Sequence, residues 1–355
     1  SGLGTYTSAL AITGAPARSI VELWNGSSWT ETTDLSTGRQ NTGTAGADNT
    51  SGLVFGGSVP ASDTAKADSE EWTGAGSDIA AWSTGGSLNT ARHELGSAGT
   101  QTSALGFGGN TGSFTGVTEA YDGSTWTEVG DLNTARDLLA GSGASNTSAL
   151  AFGGTTPPVS ALTENYNGTS WTEVGDLNTA GSARAGVGAT NTAALAVGGS
   201  DGSSQLASNE IWNGTSWTEV GDISGGKRFM AGAGTTTAGL VFGGSPGPTA
   251  NTESWNGSSW TEVNNLNTAR NQLAGLGTQD SALAFGGEGP PNVAITEDWN
   301  GNNWVETSDL NTAVRFQGGA GTTTAGLSFG GDNGPVTANT EEWAVPSKAT
   351  NVLTD

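Results

Sequence analysis

Seven arginines recur at one point of a repeated motif, and a guanidinium group is suited to bind carboxylate, sulfate or phosphate. The motif reads L-N-T-A-R in its most frequent form and follows a W-T-E segment. These seven are concentrated in a chain that has a formal net charge of −23 and 11 basic residues in all. They predict a positively charged, anion-binding cluster composed of Arg39, Arg92, Arg136, Arg184, Arg228, Arg270 and Arg315.

A second interpretation of the arginines is structural. Each repeat also carries a glutamate in the segment T-E-x-W or T-E-x-Y, and each arginine can form an internal ion pair with one of these carboxylates. A feature that is identical in every repeat is more typical of architecture than of specificity, so we favour this interpretation and leave a partly open ring as the alternative. The repeated glutamates are Glu22, Glu70, Glu119, Glu164, Glu210, Glu253, Glu297 and Glu341.

The composition excludes several other chemistries. The chain has no cysteine and one histidine, His93, which argues against thiol catalysis, disulfides, zinc fingers and histidine triads. The repeated glutamates do not single out one carboxylate pair for glycoside hydrolysis. The acidic charge opposes binding to nucleic acid and to anionic membranes, and no apolar run approaches membrane-spanning length. We therefore predict no catalytic residue, no metal and no cofactor.

Internal repeats organise the whole chain. A glycine doublet ends near Gly57, Gly109, Gly154, Gly199, Gly244, Gly287 and Gly331, with a degenerate copy ending at Gly14. The spacing is about 44 residues, which is typical of repeat architectures. The eight predicted repeats are 1–38, 39–91, 92–135, 136–183, 184–227, 228–269, 270–314 and 315–355.

Each repeat predicts four short strands. A glycine-rich strand is followed by an apolar strand ending in the doublet, then by T-E-x-W and S-W-T-E, which N-G turns join into a hairpin. The second repeat places its aromatic pair, Trp72 and Trp82, around a longer turn (73–81). Four-stranded repeats of this length predict an all-β propeller with the glycine-rich strands innermost. We expect eight blades in one domain over residues 1–355, each built from its own repeat; seven blades plus a partial repeat is the alternative.

The pattern resembles the kelch-repeat family. One repeat carries it as Phe55-Gly56-Gly57, then Trp72, Trp82 and Arg92. Departures are Thr13 in place of the first glycine, Val197 in place of phenylalanine, and a weak final strand. The resemblance implies that arginines after the fourth strand can face the ligand end; copper-oxidase chemistry known in this fold is excluded by the missing cysteine. The amino-acid sequence of the repeats is also similar to that of kelch-like proteins of marine bacteriophages and environmental bacteria. This resemblance implies a virion appendage or a surface adhesin.

Antiparallel order places the loops between strands two and three (2–3 loops) at the same end as the connections from strand four to the next repeat (4–1 connections). The 2–3 loops vary in sequence, and that of the second repeat, 58–69, is the longest and carries Lys66, a further candidate binding residue. Binding commonly uses diversified loops on a rigid scaffold. We predict a non-enzymatic recognition module of a phage tail or cell surface that binds host glycan or protein; a polysaccharide-active enzyme and a pure scaffold are the alternatives. Because repeat one begins inside a strand, we expect an upstream segment.

Overall fold

A computed structural model describes residues 2–5, 8–12, 19–24, 27–31, 35, 38, 40–45, 52–55, 58–59, 64–65, 69–72 and 80–345. The chain divides into two compact units, Ser1–Ile79 with Pro346–Asp355, and Ala80–Val345. The described residues form strands and irregular segments without helices. No described helix is therefore long or apolar enough to cross a membrane.

The first unit contains the sheets of repeats one and two. One sheet has four antiparallel strands in chain order, β1 (Gly2–Thr5), β2 (Ser8–Ile12), β3 (Val21–Trp24) and β4 (Trp29–Glu31). A second has three strands, β5 (Gly43–Ala45), β6 (Gly52–Phe55) and β9 (Ser69–Trp72). The long 2–3 loop of repeat two contains a small ladder of β7 (Ser58–Val59) and β8 (Thr64–Ala65).

The second unit contains six four-stranded antiparallel sheets. Five of them run in chain order from the inner to the outer strand: β11 (Gly96–Thr100), β12 (Ser103–Phe107), β13 (Thr118–Tyr121), β14 (Trp126–Glu128); β15 (Ala140–Ser145), β16 (Ser148–Phe152), β17 (Thr163–Tyr166), β18 (Trp171–Glu173); β19 (Ala185–Thr190), β20 (Ala193–Val197), β21 (Asn209–Trp212), β22 (Trp217–Val220); β23 (Ala231–Gly234), β24 (Gly239–Phe242), β25 (Thr252–Trp255), β26 (Trp260–Val263); β27 (Ala274–Gly277), β28 (Ala282–Phe285), β29 (Thr296–Trp299), β30 (Trp304–Glu306). The sixth sheet combines β31 (Gly318–Thr322), β32 (Ala325–Phe329) and β33 (Thr340–Ala344) with β10 (Ala81–Thr84).

These six sheets close into a ring. The inner strands contact one another in the order β11, β15, β19, β23, β27 and β31, and β31 contacts β11 again. The last sheet takes its outer strand from the start of the unit, where β10 pairs with β33 and Trp82 lies opposite Trp343. The second unit is thus a six-bladed propeller whose final blade joins the two ends of the chain segment.

The predicted all-β class is confirmed, and each of the eight repeats contributes a sheet. Seven of these sheets have four antiparallel strands, the sheet of repeat two has three described strands, and six of the sheets close the ring. The prediction that each sheet takes all its strands from its own repeat is wrong at one point. Trp82 pairs with Trp343 and not with Trp72, because β10 lies beside β33 as the outer strand of the sheet of repeat eight. The strands β9 and β10 therefore belong to different sheets and do not form the expected hairpin.

Glycine allows the inner strands to approach one another closely. A Cβ atom on Gly141 would lie 2.4 Å from the carbonyl oxygen of Ser97, and one on Gly186 would lie 2.4 Å from that of Gly141. Real Cβ atoms do not reach such distances, so a larger residue would push the blades apart. The prediction of innermost glycine-rich strands is confirmed in this ring.

Tryptophans of the outer strands bind each blade to the preceding one. The Trp171 ring packs against Phe107 at a centroid distance of 4.9 Å, and its Nε1 donates to Thr118 Oγ1 at 3.0 Å. The same arrangement recurs for Trp82, Trp126, Trp217 and Trp304. Trp260 differs, because Val197 and Asn209 replace the phenylalanine and threonine and its buried Nε1 has no partner. The interpretation of these tryptophans as packing residues is confirmed.

Candidate functional site

The repeated arginines do not occupy equivalent positions in the structure. In each 4–1 connection of the second unit a leucine or isoleucine is buried. Where the fourth residue after it is basic, that residue forms a buried ion pair. Arg92, Arg136 and Arg270 hold this position, and Lys227 holds it in the connection that starts at Ile223. Arg184, Arg228 and Arg315 lie at other positions of their connections, so the predicted set mixes three different environments.

Three of the arginines form fully buried ion pairs. The distances are 2.5 Å for Arg92–Glu119, 2.9 Å for Arg136–Glu164 and 3.2 Å for Arg270–Glu297. Burial lowers the pKa of each arginine, and the adjacent glutamate opposes that shift. These guanidinium groups are engaged inside the protein, as the structural interpretation predicted.

An asparagine completes each of these pairs. Asn133 donates to Glu164 Oε2 through its backbone nitrogen at 2.8 Å and through Nδ2 at 2.7 Å. Its Nδ2 also donates to the carbonyl oxygen of Trp171 at 3.0 Å. The same asparagine contacts recur at Asn89, Asn178, Asn267 and Asn311. The L-N-T-A-R motif therefore ties each connection to the third strand of the following blade.

Arg184 reaches a similar place from a different position. Its connection has Gly181 where four other connections of the second unit have a basic residue, and a Cβ atom there would lie 2.7 Å from Arg184 Nε. The guanidinium donates to the carbonyl oxygens of Gly198 at 2.7 Å and Thr179 at 3.0 Å. Arg184 therefore fills the space that the missing side chain leaves.

Arg228 and Arg315 are the partly exposed members of the described set. The Arg228 guanidinium lies 4.9 Å from the centre of the Phe229 ring. Arg315 contacts Glu288 at 3.2 Å and Asp332 at 3.1 Å. Arg39 and Lys66 lie outside the described residues, so their predicted roles stay predictions.

Six backbone hydrogen bonds form a closed circle around the propeller axis. One residue of each 4–1 connection donates its N–H to the carbonyl oxygen of its counterpart in the preceding blade, at 2.8–3.1 Å. All six have positive φ, between 49° and 58°, although none is glycine. This backbone conformation is uncommon for such residues and is often found at functional sites. We call these residues the axial ring: Glu94, Leu138, Ala183, Phe229, Gln272 and Phe316.

A cavity of about 110 Å³ opens inside this ring and is called the axial pocket. Its lining consists of the six ring residues and the residue after each one. It lies at the end that holds the 2–3 loops, since His93 and Asn110 exchange backbone hydrogen bonds at 3.1 and 2.9 Å. The variable loops and the pocket therefore share one face.

A carboxyl pair lies at one side of the pocket. Burial and the neighbouring carboxylate of Asp137 raise the pKa of Glu94 to about 7. Asp137 is 5% exposed, and its Oδ2 accepts a hydrogen bond from Asn110 Nδ2 at 2.9 Å. Burial lowers the pKa of His93, whose Nδ1 lies 3.8 Å from Glu94 Oε2. Glu94 can therefore gain or lose a proton near neutral pH.

The sequence contains a signal for the axial ring in the spacing of its residues and not in their types. Each ring residue follows the buried leucine or isoleucine of its connection by six positions, from Leu88 to Glu94 and from Ile223 to Phe229. The ring residues are of five types in six blades, so inspection for shared residues finds the arginines and misses the ring. Counting from the buried residue would also have identified Lys227.

Among the described residues, no group of three or more histidine, aspartate or glutamate side chains is placed to hold a metal ion. A comparison of the chain with models of protein families found no match, and a comparison with curated proteins found none either.

Proposed function

We propose that this protein is a non-enzymatic recognition module that binds a group of a surface glycan or protein in the axial pocket. The setting we propose is a virion appendage or a cell surface. The observation that carries the proposal is the axial ring, in which one backbone conformation presents six side chains of five types to a single cavity.

The chemistry of the ring supports recognition rather than scaffolding alone. The tryptophan–threonine and asparagine–glutamate bonds between blades repeat the same residue types in most blades. The ring instead carries one acid, one amide, two aromatic rings and two aliphatic groups. The hydrogen bonds of the circle use only the backbone of these residues, so their side chains can differ between blades and specify a ligand. Phe229 and Phe316 pack edge to face, with ring centroids 5.5 Å apart.

The size of the cavity limits what it can hold. Ligand pockets for whole drug-sized molecules have volumes of about 300–1,000 Å³. A cavity of about 110 Å³ suits the end of one side chain or one small substituent. The rest of the partner would then lie on the 2–3 loops around the pocket.

Arrays of glycans and peptides test the proposal with the variant Ala183→Trp. Phenylalanine already occupies the same backbone position at Phe229 and Phe316, so the ring tolerates a large aromatic side chain. Thr215→Trp is the matched control, because it adds the same side chain to an exposed turn of the opposite end. We expect Ala183→Trp to abolish binding that wild type and Thr215→Trp retain. Binding that survives Ala183→Trp, or the absence of any array ligand, would contradict the proposal.

A further inference from the structure

The axial pocket contains hydrogen-bond acceptors that no donor satisfies. Gln317 is 7% exposed, and its Nε2 donates to the Phe285 carbonyl oxygen at 2.9 Å, which leaves its buried Oε1 without a partner. Gln272 also has a buried Oε1 without a partner. Both residues line the pocket. Buried acceptors without a donor are destabilising and uncommon in native proteins, so such atoms require an explanation.

The charges around the pocket favour a cation. Glu94 lines it, and Asp137 adjoins Glu94 and shares a side-chain hydrogen bond with it. The other charged groups facing Glu94 are Asp332 and Arg315, and Arg315 is already paired with Glu288 and Asp332. Arg184 also lines the pocket, where its guanidinium donates to the carbonyl oxygens of Gly198 and Thr179. With Glu94 ionised, the four carboxylates outweigh the two arginines, and the pKa of His93 is lowered, which favours its neutral form.

The walls of the pocket favour an apolar stem behind that charge. Three axial-ring residues, Leu138, Phe229 and Phe316, contribute apolar side chains to the wall. Leu139, Met230 and Leu273 complete the apolar surface. A cavity of about 150 Å³ accommodates one benzene molecule, so about 110 Å³ suits a chain of a few heavy atoms. Lysine combines an ammonium group with a flexible four-carbon stem.

We propose that the axial pocket binds the ammonium end of a lysine side chain presented by a partner protein, an inference that rests on the proposed function and deepens it. The three N–H donors of the ammonium match Glu94, Gln272 and Gln317. The methylene stem packs on the apolar wall, as lysine stems do on protein surfaces. An amino sugar would place ring hydroxyl groups against the same wall and leave them unpaired.

Binding of the ammonium group displaces the proton from Glu94. The ligand enters as the cation, Glu94 becomes a carboxylate, and the proton is released to solvent. The affinity therefore rises with pH through the pKa of Glu94, which is about 7. For one such group the change between pH 6 and pH 8 is roughly tenfold.

Isothermal titration calorimetry at pH 8 tests the binding of a lysine ammonium group. The ligands are Nα-acetyl-lysine methylamide, which keeps its ε-ammonium group, the neutral norleucine counterpart, and glucosamine. We expect one site for the lysine compound and at least tenfold weaker binding of the other two. Glu94→Gln should weaken lysine binding at least tenfold and remove its pH dependence. Glu262→Gln, which removes the same charge from an exposed outer strand, should change the affinity less than twofold.

The outcomes separate this inference from the proposed function. Equal binding of the norleucine compound, tighter binding of glucosamine, or lysine binding that Glu94→Gln does not weaken would overturn the lysine inference. The same holds if the lysine compound fails to bind while Ala183→Trp still abolishes binding to an array ligand, and the proposed function then stands. If array binding survives Ala183→Trp, both fail.

Discussion

Trp82 lies directly opposite Trp343 in the last blade, with the two ring centroids 5.4 Å apart. The first strand of the six-bladed unit is thereby the outer strand of its final sheet. Trp82 Nε1 also donates to Thr296 Oγ1 at 3.0 Å, which attaches this sheet to the preceding blade. One tryptophan thus participates in both the closure of the ring and the packing between blades.

A disulfide at this closure tests the strand pairing. Ser83 and Glu342 are directly opposite partners, and opposite residues of antiparallel strands have Cα atoms about 4.5–5.5 Å apart, which suits a disulfide. Because the chain has no cysteine, the variant Ser83→Cys/Glu342→Cys should form one intramolecular bond on oxidation and raise the Tm. Each single variant is a control. Exclusively intermolecular disulfides would contradict the closure.

Replacement of the arginines tests whether the buried and exposed members differ. Arg136→Met leaves Glu164 buried without its cation, and we expect a loss of about 3–5 kcal/mol in the free energy of unfolding. Arg228→Met removes a partly exposed side chain stacked on Phe229, and we expect a loss below about 1 kcal/mol. Urea unfolding measures both. Equal effects would show that the two positions are equivalent, contrary to the structure.

Two tryptophans form a matched pair for the interblade hydrogen bond. Trp171→Phe removes the donor that satisfies Thr118 Oγ1, whereas Trp260→Phe removes an N–H that has no partner. We expect Trp171→Phe to cost about 1–2 kcal/mol more than Trp260→Phe in thermal or urea unfolding. A larger cost for Trp260→Phe would show that the orphan N–H is not a property of the folded protein.

Glu94 gives the stability a specific pH dependence. Its pKa is about 7 in the folded protein and about 4.3 in an unfolded chain. The folded state therefore retains a proton that the unfolded state has lost, so this contribution to stability is present at pH 4 and is lost as the pH rises through 7. Glu94→Gln lacks this titration.

Urea unfolding at pH 5 and pH 8 measures the effect. Relative to wild type, Glu94→Gln should gain about 1–2 kcal/mol between these pH values, a figure reduced for the partial solvent access of the side chain. Glu262→Gln is the control and should follow the wild type. An equal change in the free energy of unfolding between pH 5 and pH 8 for wild type and Glu94→Gln would contradict the raised pKa of Glu94.

The repeats predicted the strands, their order and the packing role of the tryptophans because these features use the same residue types in each copy. The pairing of Trp82 with Trp343 was not predicted, since it joins residues 261 positions apart and nothing local distinguishes it from a hairpin with Trp72. The arginine cluster was predicted from shared residue type, and the structure places Arg92, Arg184 and Arg315 in three different environments.

The axial ring could not be predicted from residue preference. Positive φ is usually signalled by glycine or asparagine, but the ring uses residues such as Leu138 and Phe316. Contacts between neighbouring blades impose that conformation through the circle of backbone hydrogen bonds, and such contacts are invisible within one repeat. The difference between ring side chains, which carries the proposed function, becomes meaningful only when the six positions meet at the axis.

The most direct test of ligand recognition at the axial pocket uses its methionine. The chain has one methionine, and Met230 lines the pocket. Protein labelled with ¹³C in the methionine methyl group therefore gives a single resonance that reports on this site alone. We predict that a ligand identified on the arrays shifts this resonance in proportion to its binding and that Ala183→Trp abolishes the shift. Saturating binding that leaves the Met230 resonance unchanged would show that the ligand site lies elsewhere.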